Sequence, residues 1–137
     1  MVRIYCDTNI YIDMFQNREV KYRDLGAISR SIFSRSLDCE FELIISDWLL
    51  YELEKHVDSN MIKDFFEPFK KKNKLIKVNK TNDDINKAKE LASTDNTAHF
   101  QDVLHQILAK KMNAKYLVTR DSQGFIEGLE VVFPEYV

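Results

Sequence analysis

Four acidic residues stand where a parallel α/β fold would bring them to one edge of a sheet. Two of them follow short apolar runs that are typical of strands, and two lie near the starts of helices with apolar periodicity. They are Asp7, Glu52, Asp102 and Asp121. In an open α/β sheet, the loops that follow the strands meet at one edge, where binding sites form. The placement therefore predicts one cleft that contains four carboxylates.

A cluster of four carboxylates predicts a bound cation, because like charges in one cleft repel strongly unless cations neutralise them. Hard divalent cations prefer oxygen ligands, and the two cysteines and three histidines lack the spacing of a zinc site. We therefore expect Mg²⁺ or Mn²⁺. A pair of such ions about 3.5–4 Å apart can activate a water and clamp the displacement at a phosphodiester. The chemistry predicted for the cleft is phosphodiester hydrolysis.

Each acid also has an ordinary structural explanation. Asp7 and Asp121 could cap the helix or turn that follows them, because Asp is a good N-cap residue. Glu52 could belong to a solvated helix face, where Glu54 competes with it, and Asp102 lies off the apolar stripe of its helix. It is the joint placement of the four that favours a site over four separate explanations. The nearby His105 is better explained by packing or a surface position than by catalysis.

Short strands and helices alternate along the chain, which predicts a parallel sheet covered on both faces by helices. The predicted strands are residues 2–6, 41–45, 75–78, 115–119 and 129–133. The predicted helices are residues 8–15, 22–37, 47 to about 57, 60–72 with a break near Pro68, 83 to about 92, and 98–112, with a polar loop over residues 93–97. Ser46 is expected to cap the third of these helices. The chain has 137 residues, of which 45% are hydrophobic, and we therefore expect one globular domain over residues 1–137.

Three blocks of the sequence resemble the PIN-domain family, and within it the small VapC-type toxin ribonucleases. The first block runs from Ile4 to Asp13 and contains Asp7-Thr8-Asn9 after an apolar strand. The second runs from Ser46 to Glu52. The last extends from Asp102 through Thr119-Arg120-Asp121, with Phe125 after it. These blocks span nearly the whole chain in the order found in the family.

The resemblance implies a Rossmann-like three-layer α/β/α sandwich with a mostly parallel central sheet. It also implies a metal-dependent ribonuclease whose metal ligands are the four acids, with Asn9 and Thr119 as supporting polar residues. Within the family, we expect the toxin of a type II toxin–antitoxin pair, with an antitoxin protein as partner and a homodimer as the assembly.

The sequence is also compatible with other functions. A nuclease that matures ribosomal or transfer RNA is one, and a non-catalytic RNA- or protein-binding module of the same fold is another. A phosphoryl-transfer domain of the receiver or haloacid dehalogenase type also places an Asp after a strand, but Asp7-Thr8-Asn9 lacks the second acid of the dehalogenase pattern. With three glycines in the chain, no Gly-rich phosphate loop is present.

Basic residues at two places are candidates for phosphate contacts with RNA. The run Lys70, Lys71, Lys72 and Lys74 could follow an RNA backbone, and Arg120 stands beside a predicted acid. The alternative for the lysines, which we favour, is a solvated helix end. The net charge of −2 does not suggest a protein held on nucleic acid by its whole surface.

Aromatic residues on the helix over residues 60–72 suggest an interface. Phe65, Phe66 and Phe69 exceed what one sheet face needs, and an exposed apolar patch would support a homodimer. The alternative is that these rings belong to the core. We expect a cytoplasmic protein without membrane contact, because there are two cysteines, no signal peptide and no apolar run near the ~20 residues that cross a bilayer.

Overall fold

The computed structural model describes residues 1–120 and 123–137. The fold is α/β, a three-layer α/β/α sandwich in which helices flank a central sheet of five parallel strands. The strands, in chain order, are β1 (Val2–Cys6), β2 (Glu19–Val20), β3 (Arg23–Asp24), β4 (Phe41–Ser46), β5 (Leu75–Val78), β6 (Tyr116–Val118) and β7 (Glu130–Val132). The helices are α1 (Thr8–Phe15), α2 (Leu25–Leu37), α3 (Asp47–Leu53), α4 (Ser59–Lys71), α5 (Asn82–Thr94) and α6 (Phe100–Lys111), and a 3₁₀ turn covers Pro134–Tyr136. The fold class predicted from the sequence is confirmed.

The order of strands in the main sheet creates a crevice beside β1. The order is β5-β4-β1-β6-β7, with Tyr5 of β1 paired to Ile44 on one side and to Leu117 on the other. The chain builds outward from β1 through β4 and β5, then adds β6 and β7 on the opposite side. Such a reversal of strand order leaves a crevice at the carboxyl ends of the strands, and this is where open α/β sheets bind ligands.

The central strands are buried on both faces, as parallel strands are when helices cover them. Ile4, Tyr5 and Cys6 are fully buried, and they belong to one hydrophobic cluster with the inward sides of the helices. Two helix groups surround the sheet. In one group α1 packs against α2 and α2 against α4, and in the other α5 packs against α6.

The aromatic residues of α4 belong to this core. Phe66 and Phe69 are buried, and the half-buried Phe65 ring lies edge-on to Tyr11 and Phe33 at centroid distances of 6.1 and 5.2 Å. The alternative that these rings are core residues is confirmed, so the α4 aromatics no longer support a homodimer interface. Within residues 1–120 and 123–137, no helix has the length and apolar character needed to cross a bilayer.

The second helix begins later than the sequence suggested. We predicted residues 22–37, whereas α2 begins at Leu25, because Asp24 accepts a hydrogen bond from the Ala27 N–H at 2.9 Å and caps the helix. The preceding residues form a small antiparallel ribbon, in which Arg23 pairs with Val20. This β2–β3 ribbon was not predicted.

The third and fourth helices also differ from the prediction. Helix α3 ends at Leu53 instead of near residue 57, because the Leu53 carbonyl accepts from both His56 and Val57 in a tight turn. Helix α4 runs through Pro68 without the predicted break. Pro68 and Asp64, one turn earlier, are both exposed, so water can satisfy the carbonyl that loses its N–H partner. The other predicted boundaries fall within one or two residues of the structure.

Candidate functional site

Two adjoining cavities open at the carboxyl edge of the sheet, in the crevice beside β1. Their volumes are about 290 Å³ and about 140 Å³, and Asp7, Asp102 and His105 line both of them. Glu52 lines the smaller cavity, so three of the four predicted acids border one space. The predicted supporting residues are also here, Asn9 at the smaller cavity and Thr119 at the larger. We call these two cavities together the acid cleft.

Asp7 has both the roles that the sequence left open for it. It caps α1 by accepting from the Ile10 N–H at 3.4 Å, and it lines the acid cleft. Its own N–H donates to the Val118 carbonyl at 3.0 Å, which fixes the end of β1 against β6. The Thr119 hydroxyl donates to the other carboxylate oxygen. The cap and the cleft position are therefore compatible in one residue.

The surroundings of Asp7 oppose its negative charge. Burial raises the pKa of Asp7 to about 6, and the negative charge of Asp102 acts in the same direction. The hydrogen bond from Thr119, the charge of His105 and the Ile10 N–H lower the pKa but offset only part of this effect. Because no Lys or Arg side chain pairs with Asp7 among the described residues, a bound cation would supply the missing positive charge.

Glu52 is held in the acid cleft by two side chains from other elements. The Thr8 hydroxyl donates to Glu52 Oε1 at 2.6 Å, and His105 Nε2 lies 2.5 Å from the same oxygen. Burial raises the pKa of Glu52, but the hydrogen bonds and charge of His105, together with Thr8, more than offset it, and the net pKa is lowered. Glu52 is therefore a stabilised carboxylate, unlike Asp7.

A chain of buried hydrogen bonds supports His105 from behind. His105 Nδ1 lies 2.7 Å from the Tyr5 hydroxyl, which lies 2.7 Å from the hydroxyl of Ser46. Ser46 in turn accepts from the Leu49 N–H at 2.9 Å, so the predicted N-cap of α3 is confirmed. Because the Glu52 carboxylate can only accept, the Nε2 atom of His105 carries the proton of their contact. The chain fixes the imidazole from the strand side.

For His105 the sequence favoured packing or a surface position over catalysis, and the structure shows a packed side chain. It is 3% exposed and contacts both Tyr5 and Glu52, which links it to the acid cleft. The sequence contains one signal for this role. His105 follows Asp102 by three residues, which places the two on neighbouring positions of one face of α6.

Of the remaining acids, Asp102 lies where it was predicted and Asp121 cannot be placed. Asp102 is in the first turn of α6, is exposed, and faces both cavities. Asp121 lies outside the described residues.

The predicted phosphate-binding residues do not gather at the acid cleft. Lys72 Nζ donates to the Leu37 carbonyl at 3.0 Å, and Lys74 Nζ lies 3.3 Å from Met1 Sδ. Both neighbours precede the amino ends of strands, so the run of Lys70, Lys71 and Lys72, which ends α4, stands at the opposite edge of the sheet. The placement agrees with a solvated helix end.

Arg120 follows Thr119 of the acid cleft in the sequence, but it lines neither cavity and has an acidic partner. Its Nε lies 2.8 Å from Asp13 Oδ2, and Asp13 is 1% exposed on α1. Arg18 approaches the same carboxylate at 3.8 Å. Burial nevertheless raises the pKa of Asp13 above its ordinary value. This ion pair joins the end of α1 to the segment after β6, and a phosphate contact by Arg120 stays a prediction.

The acid cleft contains side chains of the types that bind a hard divalent cation, but the described ones do not converge on one point. Three carboxylates and the hydroxyls of Thr8 and Thr119 offer the oxygen atoms that Mg²⁺ and Mn²⁺ prefer. The cleft is also lined by the imidazoles of His56, His99 and His105. Among the described residues, no three His, Cys, Asp or Glu side chains converge closely enough to hold a metal ion as they stand. Glu52 Oε1 is occupied by Thr8 and His105. Binding a cation through these residues would therefore require their side chains to rearrange.

No protein-family model matches the sequence, and no curated protein matches it either. The resemblance to the PIN-domain family therefore rests on the residues themselves.

Proposed function

We propose that the protein is a Mg²⁺- or Mn²⁺-dependent ribonuclease that hydrolyses RNA phosphodiester bonds. The observation that carries the proposal is the shared cavity of Asp7, Glu52 and Asp102 in the crevice beside β1. The N-cap of α1 explains the position of Asp7 but leaves its buried charge without a lysine or arginine partner among the described residues, and a bound cation would supply that partner.

Each side chain of the acid cleft has a separate part in this proposal. Asp7, Glu52, Asp102 and Asp121 would hold the cation, which when bound supplies the positive charge for activating water and stabilising the phosphorane-like transition state. Thr119 orients the carboxylate of Asp7, while Thr8 and His105 orient that of Glu52. Asn9, at the rim of the smaller cavity, is a candidate to contact the substrate or a metal-bound water.

The finer parts of the proposal come from the resemblance to VapC-type toxins. These are RNA as the substrate, a toxin role with an antitoxin protein as partner, a homodimer and a cytoplasmic location. With the α4 aromatics buried in the core, the homodimer is supported by the resemblance alone. A maturation nuclease would use the same cleft chemistry on a different RNA.

A second candidate function is a non-catalytic RNA- or protein-binding module. The observation that favours it is the open arrangement of the acids, since no metal-binding group of three is formed among the described residues. Such a module would bind its partner equally well with and without Mg²⁺.

A cleavage assay with controlled metal separates the two candidates. We expect a labelled single-stranded RNA to be cut in Mg²⁺ or Mn²⁺, to stay intact in excess chelator, and to be cut again when the metal is restored. Asp121→Asn, purified in the same way, should be inactive, which controls for a contaminating nuclease. Undiminished cleavage in excess chelator would refute a metal-dependent ribonuclease.

A further inference from the structure

Two aromatic side chains on α3 form an exposed stack beside the acid cleft. The rings of Trp48 and Tyr51 lie 5.6 Å apart between centroids with 22° between their planes, and Tyr51 is 53% exposed. Trp48 is held from behind by Phe100 and His105, whose rings lie 6.0 and 6.3 Å away. The stack therefore has a fixed base and an accessible outer ring.

The position of this stack links it to the acids. Trp48 and Glu52 are four residues apart on α3, which places them on one face of the helix. Both contact His105, Glu52 through the 2.5 Å contact at Nε2 and Trp48 through its ring. An RNA strand that placed a phosphate at the acids would pass close to the rings of Trp48 and Tyr51.

A cation completes the arrangement. Lys55 Nζ lies 4.4 Å from the centroid of the Tyr51 ring, and Lys55 is exposed. A cation over an exposed ring is held weakly. The ammonium can therefore move to a phosphate while a base takes its place against Tyr51. Aromatic rings combined with positive charge are the features by which proteins hold single strands without reading their sequence.

We propose that Trp48 and Tyr51 are a nucleobase-stacking platform for single-stranded RNA, with Lys55 contacting the adjacent phosphate. The platform rests on the proposed function for its substrate class, and it adds a binding site outside the acids. Bases in a duplex are stacked on one another and cannot reach the rings. The platform should therefore select single strands and tolerate any base.

The chain contains one tryptophan, so its fluorescence reports on the platform directly. The 137-residue protein is titrated in Ca²⁺ with an adenine-containing single-stranded RNA oligonucleotide, with an abasic strand of equal length, and with the RNA duplex. A gel checks afterwards that the RNA is intact. We expect the base-bearing strand to quench Trp48 and to bind more tightly than the abasic strand, by about 5- to 150-fold for one stacked base. The duplex should behave like the abasic strand.

Three variants test the role of the ring. Tyr51→Ala should lose the advantage of the base-bearing strand, whereas Tyr51→Phe, which keeps the ring, should retain it. Tyr136→Ala is the matched control, because Tyr136 is 74% exposed and lines neither cavity of the acid cleft. Circular dichroism of each variant checks that the fold is intact.

Equal affinity for base-bearing and abasic strands, or an equal effect of Tyr51→Ala and Tyr136→Ala, would overturn the platform. These outcomes are distinguishable from failure of the proposed function. A protein that cleaves RNA in Mg²⁺ but shows no preference for bases lacks the platform and remains a ribonuclease. A protein that stacks bases on Tyr51 without cleaving RNA has the platform and is not a ribonuclease.

Discussion

Asp7 and Asp84 are both buried aspartates at helix N-termini, but their surroundings treat the negative charge in opposite ways. Asp84 accepts from the Thr81 N–H in a capping box and from Lys111 Nζ at 3.0 Å. Burial opposes its charge, but the Thr81 and Lys111 contacts more than offset that effect and lower its pKa. Asp7 has a helix cap and a hydroxyl donor but no lysine or arginine partner among the described residues, and burial raises its pKa to about 6.

This difference is the reason why we propose a functional role for Asp7 and a structural one for Asp84. The Asp84 network is complete within the protein, so the residue stabilises the junction of α5 and α6 whatever else is bound. Asp7 has no lysine or arginine partner among the described residues, and the negative charge of Asp102 in the same cavities raises its pKa further. A buried charge that the fold leaves without a cationic partner therefore supports the proposal of a cation site at Asp7.

Cleavage activity should show the largest contrast between the two aspartates. We expect Asp7→Asn to lower the rate of RNA cleavage by at least about 1,000-fold, because the amide keeps the shape but removes a ligand charge. Asp84→Asn should leave the rate per folded molecule within about twofold, since Asp84 lines neither cavity. Rates are measured at saturating metal. Similar losses in the two variants would mean that Asp7 acts through the fold alone.

In the absence of metal, Asp7→Asn and Asp84→Asn should change the free energy of unfolding in opposite directions. The folded-state pKa of Asp7, about 6, lies above the ordinary value near 3.9, so the folded protein binds the extra proton between these values. Its contribution to the free energy of unfolding therefore falls as the pH rises from about 4 to about 6, and stays low above that. Asp7→Asn should gain about 1–3 kcal/mol at about pH 8 and little at about pH 4.

Asp84→Asn should be destabilising at neutral pH, because a carboxylate with a lowered pKa contributes stability above its ordinary pKa. That contribution is lost as the pH falls through the folded-state pKa, so wild type and Asp84→Asn should converge in acid. Urea unfolding at several pH values in chelator measures both variants. A loss of stability in Asp7→Asn at alkaline pH would contradict the electrostatic contrast.

How far the sequence predicts this contrast depends on the range of the interactions. The strand ends that carry Asp7 and Ser46 follow from local apolar patterns, and the sheet edge on which they meet follows from topology. Polar contacts between segments that are distant in the chain cannot be predicted from local patterns or from topology. Tyr5 and His105 are 100 residues apart in the chain, and each resembles an ordinary core residue in its own segment.

The errors in the predicted elements have the same origin. Helix α2 was predicted too long because residues 22–24 do not break the apolar pattern. In the structure the helix begins after Asp24, which caps it and pairs with Glu19 of β2. Trp48 and Tyr51, three residues apart on a helix, fit a core pattern as well as an exposed stack. Burial, which decides between them, depends on the position of α6.

Removing either of two buried tyrosine hydroxyls should have a smaller effect, on the free energy of unfolding. Tyr5→Phe should cost about 1–2 kcal/mol, because it leaves His105 Nδ1 buried without its 2.7 Å partner. Tyr11→Phe should cost nothing or be slightly stabilising, because the Tyr11 hydroxyl is buried without a hydrogen-bond partner among the described residues. Thermal and urea unfolding measure both. Equal costs would show that the hydrogen-bond chain behind Glu52 contributes no more than ring packing.

The smallest effect is expected at the lysine run that ends α4. Replacing Lys70, Lys71 and Lys72 together with Gln should leave RNA affinity and its salt dependence unchanged, because the run lies at the edge of the sheet opposite the acid cleft. Lys55→Gln should instead reduce the slope of log affinity against log salt by about 0.7, the value for one phosphate contact on a single strand. A flattened slope in the triple variant would place RNA across both edges.

Titration of Mn²⁺ into the metal-free protein, followed by calorimetry, tests most directly whether the acid cleft is a cation site. We expect saturable binding to the wild type, accompanied by proton release at about pH 6, where a bound cation displaces the proton that Asp7 holds. Asp7→Asn should lose most of this binding, and Asp84→Asn should retain it. No saturable binding at millimolar Mn²⁺, or equal binding by wild type and Asp7→Asn, would contradict a cation site built on Asp7.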